Sequence, residues 1–310
     1  MRAMLDSNLL RCFLAVLEHR KLTTAAQELC VTQPALSKSL RRLETELGVP
    51  LFERTPAGMV PTDYGIALGQ RARLIDLESR SARAELQVLR EGGVGSITIG
   101  IGPMWSVYGL PEAIGDLVRQ QSRLRVKVVS GVLDTLLPQL LKAELDVVCV
   151  ALDFPEHPNL VKRRLIESEH VIVASRAHPL AGLSNVRPED LLDYPFVGLV
   201  NDYAGLDRME KYFALHGLPS PGAAVEASSL EMLLSLLAVG PFVASMAVEL
   251  LDRGERLGLK RLAVDGSFWR FEAGLVYRRS SQATRLVETL ARVLSERIAK
   301  RNATRAGKHG

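Results

Sequence analysis

Residues 22–44 constrain the fold of this chain more than any other stretch, because two helical patterns there are separated by a tight break. In the second pattern, Leu36, Leu40 and Leu43 recur at spacings of four and three residues, which places them on one face of a helix. Thr32 is a suitable N-cap, and the proline two residues later falls in the first turn, where a missing N–H costs little. The segment therefore predicts a helix-turn-helix.

The opposite face of the second helix carries hydroxyl and basic side chains, and the major groove of DNA accepts such a surface. A plainer interpretation is a surface helix pair whose outward charges are only solvated. Residues 51–62 favour the first interpretation, because they read as a hairpin with a Pro-Ala-Gly turn and so complete a winged helix-turn-helix. The predicted DNA contacts are Thr32, Gln33, Pro34, Ser37, Lys38, Arg41 and, on the wing, Arg54.

Residues 10–65 resemble the DNA-binding domain of LysR-type transcriptional regulators. The matching pieces are residues 10–13, 23–26, 31–37, 43–44, 47–48, 51–54 and 62–65. The resemblance implies a DNA-binding domain, placed here at residues 5–63, that binds double-stranded promoter DNA as part of a homodimer or homotetramer. It also makes RNA polymerase a further candidate partner.

Residues 64–91 predict a long linker helix, since glycine and proline are almost absent after Gly69 and apolar residues alternate at spacings of four and three. We predict that this seam pairs two copies of the chain. The alternative is a long helix that lies on its own domain. Glycines at residues 92–95 predict a hinge after the helix. The residues predicted to dimerise are Leu68, Ala72, Ile75, Ala82, Leu86 and Leu89.

From residue 96 onward, short apolar strands alternate with helices, which predicts a mainly parallel sheet with right-handed crossovers. The predicted elements include strands at residues 125–130, 170–174 and 223–227 and a helix at residues 230–239. A return strand at residues 270–278 and a helix at 281–300 suit two lobes crossed twice by the chain. This order resembles the effector domain of the LysR family, which is like a periplasmic binding protein. We expect a regulatory domain at residues 95–302, with lobe I at about 95–168 and 270–302 and lobe II at about 169–269. A disordered basic tail is expected after the domain, at residues 303–310.

The expected fold is thus α/β, with an N-terminal winged helix-turn-helix, a long linker helix and a two-lobed, periplasmic-binding-protein-like effector domain.

Open α/β sheets bind ligands beyond the carboxyl ends of their strands, where helix N-termini offer N–H groups. The turns that join these strand ends to the following helices hold Lys and Arg only near their edges. We therefore expect a small organic acid or an aromatic compound rather than a polyanion. The predicted effector contacts are Met104, Trp105, Ser106, Leu133, Thr135, Tyr203, Ser228 and Phe242.

Some of these residues have a structural alternative. Ser228 is also placed to cap the helix that follows it, Trp105 to fill the core, and Thr135 to face solvent. A dinucleotide site is disfavoured, because Trp105 stands where the third glycine of the motif belongs.

Composition and motifs argue against an enzyme. With 310 residues, 47% of them hydrophobic, the chain has core material for about two domains, and a net charge of +4 permits a nucleic-acid partner without requiring one. No nucleophile elbow, His-Glu-x-x-His or paired Cys-x-x-Cys occurs, so we expect no catalysis, no metal and no cofactor.

Three widely separated cysteines predict reduced, mostly buried thiols in a cytoplasmic protein, and no stretch is long and apolar enough for a membrane span.

We therefore predict a DNA-binding transcriptional regulator whose C-terminal domain senses a small-molecule inducer and alters promoter binding. The alternative from another class is a ligand-binding module whose helix-turn-helix serves only protein contacts.

Overall fold

The computed structural model describes residues 6–56, 58–90, 95–121, 123–264, 268–279 and 284–306. The chain divides into two compact units, Met1–Arg90 and Glu91–Gly310, each with its own hydrophobic core. Of the predicted hinge at residues 92–95, only Gly95 is among the described residues.

The N-terminal unit is helical with one hairpin. Its elements are α1 (Ser7–His19), α2 (Leu22–Glu28), α3 (Gln33–Leu47), β1 (Phe52–Thr55), β2 (Gly58–Pro61) and α4 (Asp63–Arg90). As predicted, α3 begins after Thr32, whose Oγ1 accepts a hydrogen bond from the Ala35 N–H at 3.4 Å. It ends at Gly48, where a φ of +72° favours glycine. Local capping therefore sets both ends of the helix.

The hairpin is fixed to the helices through backbone groups. Glu44 Oε1 on α3 accepts hydrogen bonds from the Leu51 N–H at 2.8 Å and the Phe52 N–H at 3.3 Å. On the other strand, the Met59 N–H donates to the Arg20 carbonyl at 2.8 Å. A Cβ on Gly58 would lie 2.4 Å from that same carbonyl oxygen, so only glycine fits there. These contacts determine how the wing stands against α3.

The helix α4 has two different halves. Ala72 is fully buried and Leu68 is half-buried, and both pack against the core of their own unit. Further along, Ile75, Ala82 and Leu86 are exposed, and the side chain of Leu89 lies outside the described residues. The first half therefore matches the alternative of a helix on its own domain, and the second half presents apolar side chains to solvent.

The C-terminal unit is an α/β domain with the following elements in chain order. They are β3 (Ser96–Ile101), α5 (Leu110–Gln120), β4 (Arg125–Ser130), α6 (Leu133–Leu141), β5 (Val147–Ala151), β6 (Leu160–Ser175), α7 (Pro188–Leu191), β7 (Phe196–Leu199), α8 (Tyr203–Leu215), β8 (Ala223–Ala227), α9 (Leu230–Val239), β9 (Val243–Ala247), α10 (Leu251–Arg256), β10 (Leu259–Arg261), β11 (Trp269–Arg278) and α11 (Thr284–Ala306).

The strands form one sheet in the order β4-β3-β5-β11-β6-β9-β7-β8, with β10 also paired to β6. The outer strands pair in parallel, but β11 and β6 run antiparallel to their neighbours through the centre. The expectation of a mainly parallel sheet was therefore wrong, and the sheet is mixed. The reason is that two long central strands carry the chain from one lobe to the other and back.

The end of α11 is held against lobe I. The Tyr108 hydroxyl donates to Asn302 Oδ1 at 2.7 Å, and Arg301 Nη1 donates to the Val107 carbonyl at 2.9 Å. The helix then continues to Ala306, so residues 303–306 are helical, contrary to the prediction of a disordered tail. Residues 307–310 lie outside the described residues.

An acid-sensitive ion pair joins α5 to α11. Arg297 Nη2 donates to Asp116 Oδ1 at 2.6 Å, and Arg119 donates to the same carboxylate. The hydrogen bond from Arg297 is the main reason that the pKa of Asp116 falls from 3.8 to about 2. A lowered pKa in the folded state means that the carboxylate stabilises the fold above about pH 4, and that this contribution is lost between pH 4 and 2.

We therefore expect Asp116→Asn to lower the stability of the C-terminal unit at pH 6 and to differ less from the wild type as the pH approaches 2. Urea unfolding followed by the fluorescence of Trp105 and Trp269, repeated across this pH range, measures the difference. A gap between the two proteins that stays constant from pH 6 to 2 would show that the carboxylate charge contributes nothing.

Candidate functional sites

The front of α3 carries exposed basic side chains. Lys38 and Arg41 are exposed, and neither forms an ion pair with a residue in the described part of the chain. Arg42 beside them is different, because its Nε donates to Glu46 Oε1 at 2.9 Å. The back of the helix is buried, so Lys38 and Arg41 face solvent with their charge uncompensated.

The wing meets this front face. Arg54 Nη2 on β1 donates to Ser37 Oγ on α3 at 3.3 Å, and Gln33 and Pro34 are exposed at the start of the same helix. The predicted DNA contacts therefore lie on one surface, which we call the reading surface. It consists of Thr32, Gln33, Pro34, Ser37, Lys38, Arg41 and Arg54.

The C-terminal unit contains two adjoining cavities between its lobes. The first, the polar cleft, has a volume of about 490 Å³ and lies at the carboxyl ends of β3, β4, β7 and β8, where α6 and α9 begin. The second, the inner cavity, has a volume of about 130 Å³ and is lined mainly by apolar and aromatic side chains. Residues such as Pro103, Val132 and Leu230 line both, so the two cavities are neighbours.

The predicted effector residues divide between these cavities. Ser106, Thr135 and Ser228 line the polar cleft, and Met104, Trp105 and Leu133 line the inner cavity. The remaining two line neither cavity. Tyr203 is 64% exposed at the start of α8, and Phe242 packs against the main hydrophobic core.

The hydroxyls of the polar cleft are largely engaged by the backbone. Thr135 Oγ1 accepts from the Val132 N–H at 3.1 Å and donates to its carbonyl at 3.0 Å, so it closes the first turn of α6. Ser106 Oγ donates to the Pro103 carbonyl at 2.7 Å. The cap of α9 is Ser229, which accepts from the Met232 N–H, and Ser228 is left exposed.

Sequence reasoning missed several residues of the inner cavity, including His170, Asp202, Arg208, Trp269 and Phe271. They come from β6, α8 and β11, which meet only through the crossing of the central strands. Trp269, as a tryptophan next to a return strand, was the available signal in the sequence. Asp202 lies in the turn after β7 that also supplied the predicted Tyr203, and nothing local pointed to the other three residues.

The polar groups of the inner cavity are internally compensated. Arg208 on α8 donates to Asp153 Oδ2 through Nε at 2.9 Å and Nη2 at 2.6 Å, and its guanidinium carbon lies 3.6 Å from the centre of the Trp269 ring. His170 Nδ1 lies 2.8 Å from Ser245 Oγ, and burial, helped by the charge of Arg208, lowers the pKa of His170 to about 3. The imidazole is therefore neutral at physiological pH.

Asp202 completes this lining and also caps α8. Its Oδ1 accepts from the Gly205 N–H at 3.1 Å, and burial raises the pKa of its carboxyl above the usual range. Nearby, Asp134 Oδ2 on α6 accepts from the Ala204 N–H at 3.0 Å. Together with the Asp153–Arg208 pair, this bond joins lobe I to lobe II along one side of the cavity.

In the described ranges, no group of three or more His, Cys, Asp and Glu side chains is arranged to hold a metal ion. Helices long and apolar enough to cross a membrane are likewise missing from those ranges. Cys149 is buried, which raises the pKa of its thiol and makes it a poor nucleophile, whereas Cys30 is exposed, contrary to the expectation of mostly buried thiols.

Comparison with known proteins matches both units to one family. The family model described as "Bacterial regulatory helix-turn-helix protein, lysR family" matches residues 7–66, and the one described as "LysR substrate binding domain" matches residues 90–299. The HTH-type transcriptional regulator GbpR of Azospirillum brasilense is 31% identical over 251 residues, which is 80% of this chain and 73% of GbpR.

Two further similarities extend over nearly the whole chain. The DNA-binding transcriptional dual regulator OxyR of Escherichia coli is 28% identical over 290 residues, 93% of this chain and 94% of OxyR. The solved structure of an OxyR mutant from Corynebacterium glutamicum has a TM-score of 0.55 and 26% identity, and the match covers 99% of this chain and 98% of that one. The chain therefore belongs to the LysR family of bacterial transcriptional regulators, with a helix-turn-helix DNA-binding domain followed by an effector-binding domain.

Proposed function

We propose that the reading surface binds promoter DNA with α3 in the major groove. The observation that carries this proposal is that Lys38 and Arg41 are exposed, with no ion-pair partner in the described part of the chain, on a helix whose leucine back is buried. Gln33 and Ser37 add hydrogen-bonding groups for base edges. Arg54, held beside Ser37, suits the sugar–phosphate backbone or the minor groove.

One copy offers few basic contacts, so we propose that the chain acts as a homodimer or homotetramer paired through the second half of α4. Ile75 and Leu86 support this, because they are 39% and 66% exposed and lie on the predicted apolar seam, where a partner helix would bury them. Ala82 lies between them on the seam. Leu68 and Ala72 are no longer part of the proposed interface, since they pack within their own unit.

We propose that the effector binds between the two lobes, in the polar cleft and the inner cavity. Two observations support this: the cleft lies at the carboxyl ends of parallel strands, and residues of both lobes line it. A ligand that contacts both lobes favours one angle between them, and so shifts the domain arrangement and promoter binding. We place the protein in the bacterial cytoplasm, where promoter DNA and metabolites meet, with RNA polymerase as a further proposed partner.

Retardation of DNA from the intergenic region beside the protein's own gene tests the proposed function. We expect retardation that weakens steeply as salt is raised, because released counterions drive the binding. A footprint should show half-sites about one or more helical turns apart, as expected for a dimeric reader. If the chain retards no promoter fragment even at low salt, the helix-turn-helix serves protein contacts instead.

A further inference from the structure

The two cavities between the lobes differ enough in chemistry to select the class of effector. We propose that the effector is an uncharged compound with a single aromatic ring, and that the ring binds in the inner cavity. This inference rests on the proposed function, because it assumes that the effector binds between the lobes.

The size and lining of the inner cavity fit one ring. Its volume of about 130 Å³ is close to that of an apolar cavity that accepts benzene, which is about 150 Å³. Met104, Leu233, Met246 and Leu250 line it and are each at least nine-tenths buried. Such a lining stabilises a flat apolar group through burial and dispersion contacts, and offers little to a polar one.

The charges around the inner cavity disfavour a charged ligand. Arg208, which supplies the positive charge of the lining, is already paired with Asp153 and stacked on Trp269. An anion would therefore meet the Asp202 carboxyl with no free cation among the described lining residues, and a cation would lose its hydration in a lining that is mainly apolar and whose Asp153 carboxylate neighbour already pairs with Arg208. Burial of an uncompensated charge is costly, whereas a neutral ring meets neither penalty.

No cationic side chain of the polar cleft supplies the missing counter-charge. Among the described residues its lining includes no Lys or Arg, and its carboxylate, that of Glu231 at the first turn of α9, is already paired with Arg253. Of the five hydroxyl side chains in its described lining, those of Ser106, Thr135 and Ser229 already bond to backbone groups, and those of Ser130 and Ser228 are exposed to solvent. Of the two ligand classes expected from the sequence, an organic acid is therefore disfavoured and an aromatic compound is retained.

The chain contains its own probe for this experiment, because its two tryptophans, Trp105 and Trp269, both line the inner cavity. Full-length protein is titrated with benzamide, benzyl alcohol and phenol, which are neutral, and with benzoate and benzylamine, which carry opposite charges around the same ring. We expect saturable changes in tryptophan fluorescence and a raised melting temperature with the neutral probes. Benzoate and benzylamine should bind at least about tenfold more weakly, because their charge is desolvated without compensation.

A variant whose larger side chain fills the inner cavity tests the same inference. Ala247 lines the inner cavity, so Ala247→Leu should abolish the response to the neutral probes, while Ala224→Leu on the exposed surface of β8 should leave it unchanged. Circular dichroism and promoter retardation without ligand show that each variant is folded and binds DNA.

Two outcomes would overturn the inference. The first is benzoate or benzylamine binding as tightly as the neutral probes, and the second is no saturable response to any neutral probe in a protein that still retards promoter DNA. Failure of the proposed function would give a different result, because the protein would then not retard promoter DNA, whether or not it responds to the aromatic probes.

Discussion

Arg41→Ala and Lys38→Ala are each expected to weaken promoter binding by about tenfold to a hundredfold while leaving the fold intact. Both side chains are exposed on the front of α3 and contribute nothing to its buried leucine face. A lost base or phosphate contact costs roughly 1–3 kcal/mol, and each substitution is present in every copy of an oligomer. Quantitative retardation of promoter DNA at several salt concentrations measures the change.

The salt dependence separates the two roles. If a side chain contacts phosphate, its removal should lower the slope of log affinity against log salt by about one for each copy that is bound. If it reads a base edge, the loss should depend on the operator sequence instead. Arg73→Ala is the matched control, because it removes a positive charge from an exposed position on α4, outside the reading surface. Equal retardation by the wild type and by both α3 variants would refute the reading surface.

Replacing Ile75 and Leu86 together by Lys is expected to abolish pairing through α4, so that the protein sediments as monomers or as a smaller oligomer. Promoter affinity should fall by about a hundredfold or more. Both residues are large, apolar and exposed on the second half of α4. Two ammonium groups per copy would be desolvated in the paired state, and the gain from binding two half-sites at once would be lost. Sedimentation velocity and DNA retardation on the same samples measure both effects.

The control for this variant adds one Lys side chain at a position away from the seam. Gln70 is exposed on α4 but lies off the predicted apolar line, so Gln70→Lys should leave the sedimentation coefficient unchanged. A dimer of unchanged strength in the Ile75→Lys, Leu86→Lys protein would refute pairing through this helix. The unit would then have to pair through another surface.

Several elements could be predicted closely because short-range patterns determine them. The strands β4 and β8 and the helix α9 have the predicted bounds, since apolar runs and a serine cap mark them in the sequence. The first half of β6 was missed, because its charged sequence does not read as a strand. It is a strand because β11 pairs with it along its length.

The candidate sites show the same division. Ser106, Thr135 and Ser228 could be predicted because turns after strands meet at one edge of a sheet. Tyr203 follows β7 in the same way, and Phe242 directly precedes β9, yet the first is exposed to solvent and the second packs against the core. Periodicity places a side chain on a face of its element, but it does not say what covers that face.

The helix-turn-helix is the most constrained segment of the sequence, and its second helix begins after Thr32 and buries its leucines as predicted, since capping and helical spacing act within a few residues. The sequence by itself thus determined the helix α3, the alternation of strands and helices, and the family. Tertiary structure alone decided that Ala72 is core while Leu86 is exposed, and that Arg208 is neutralised by Asp153 beside an apolar cavity. Burial and charge compensation depend on residues far apart in the chain, and only the folded sheet brings those residues together.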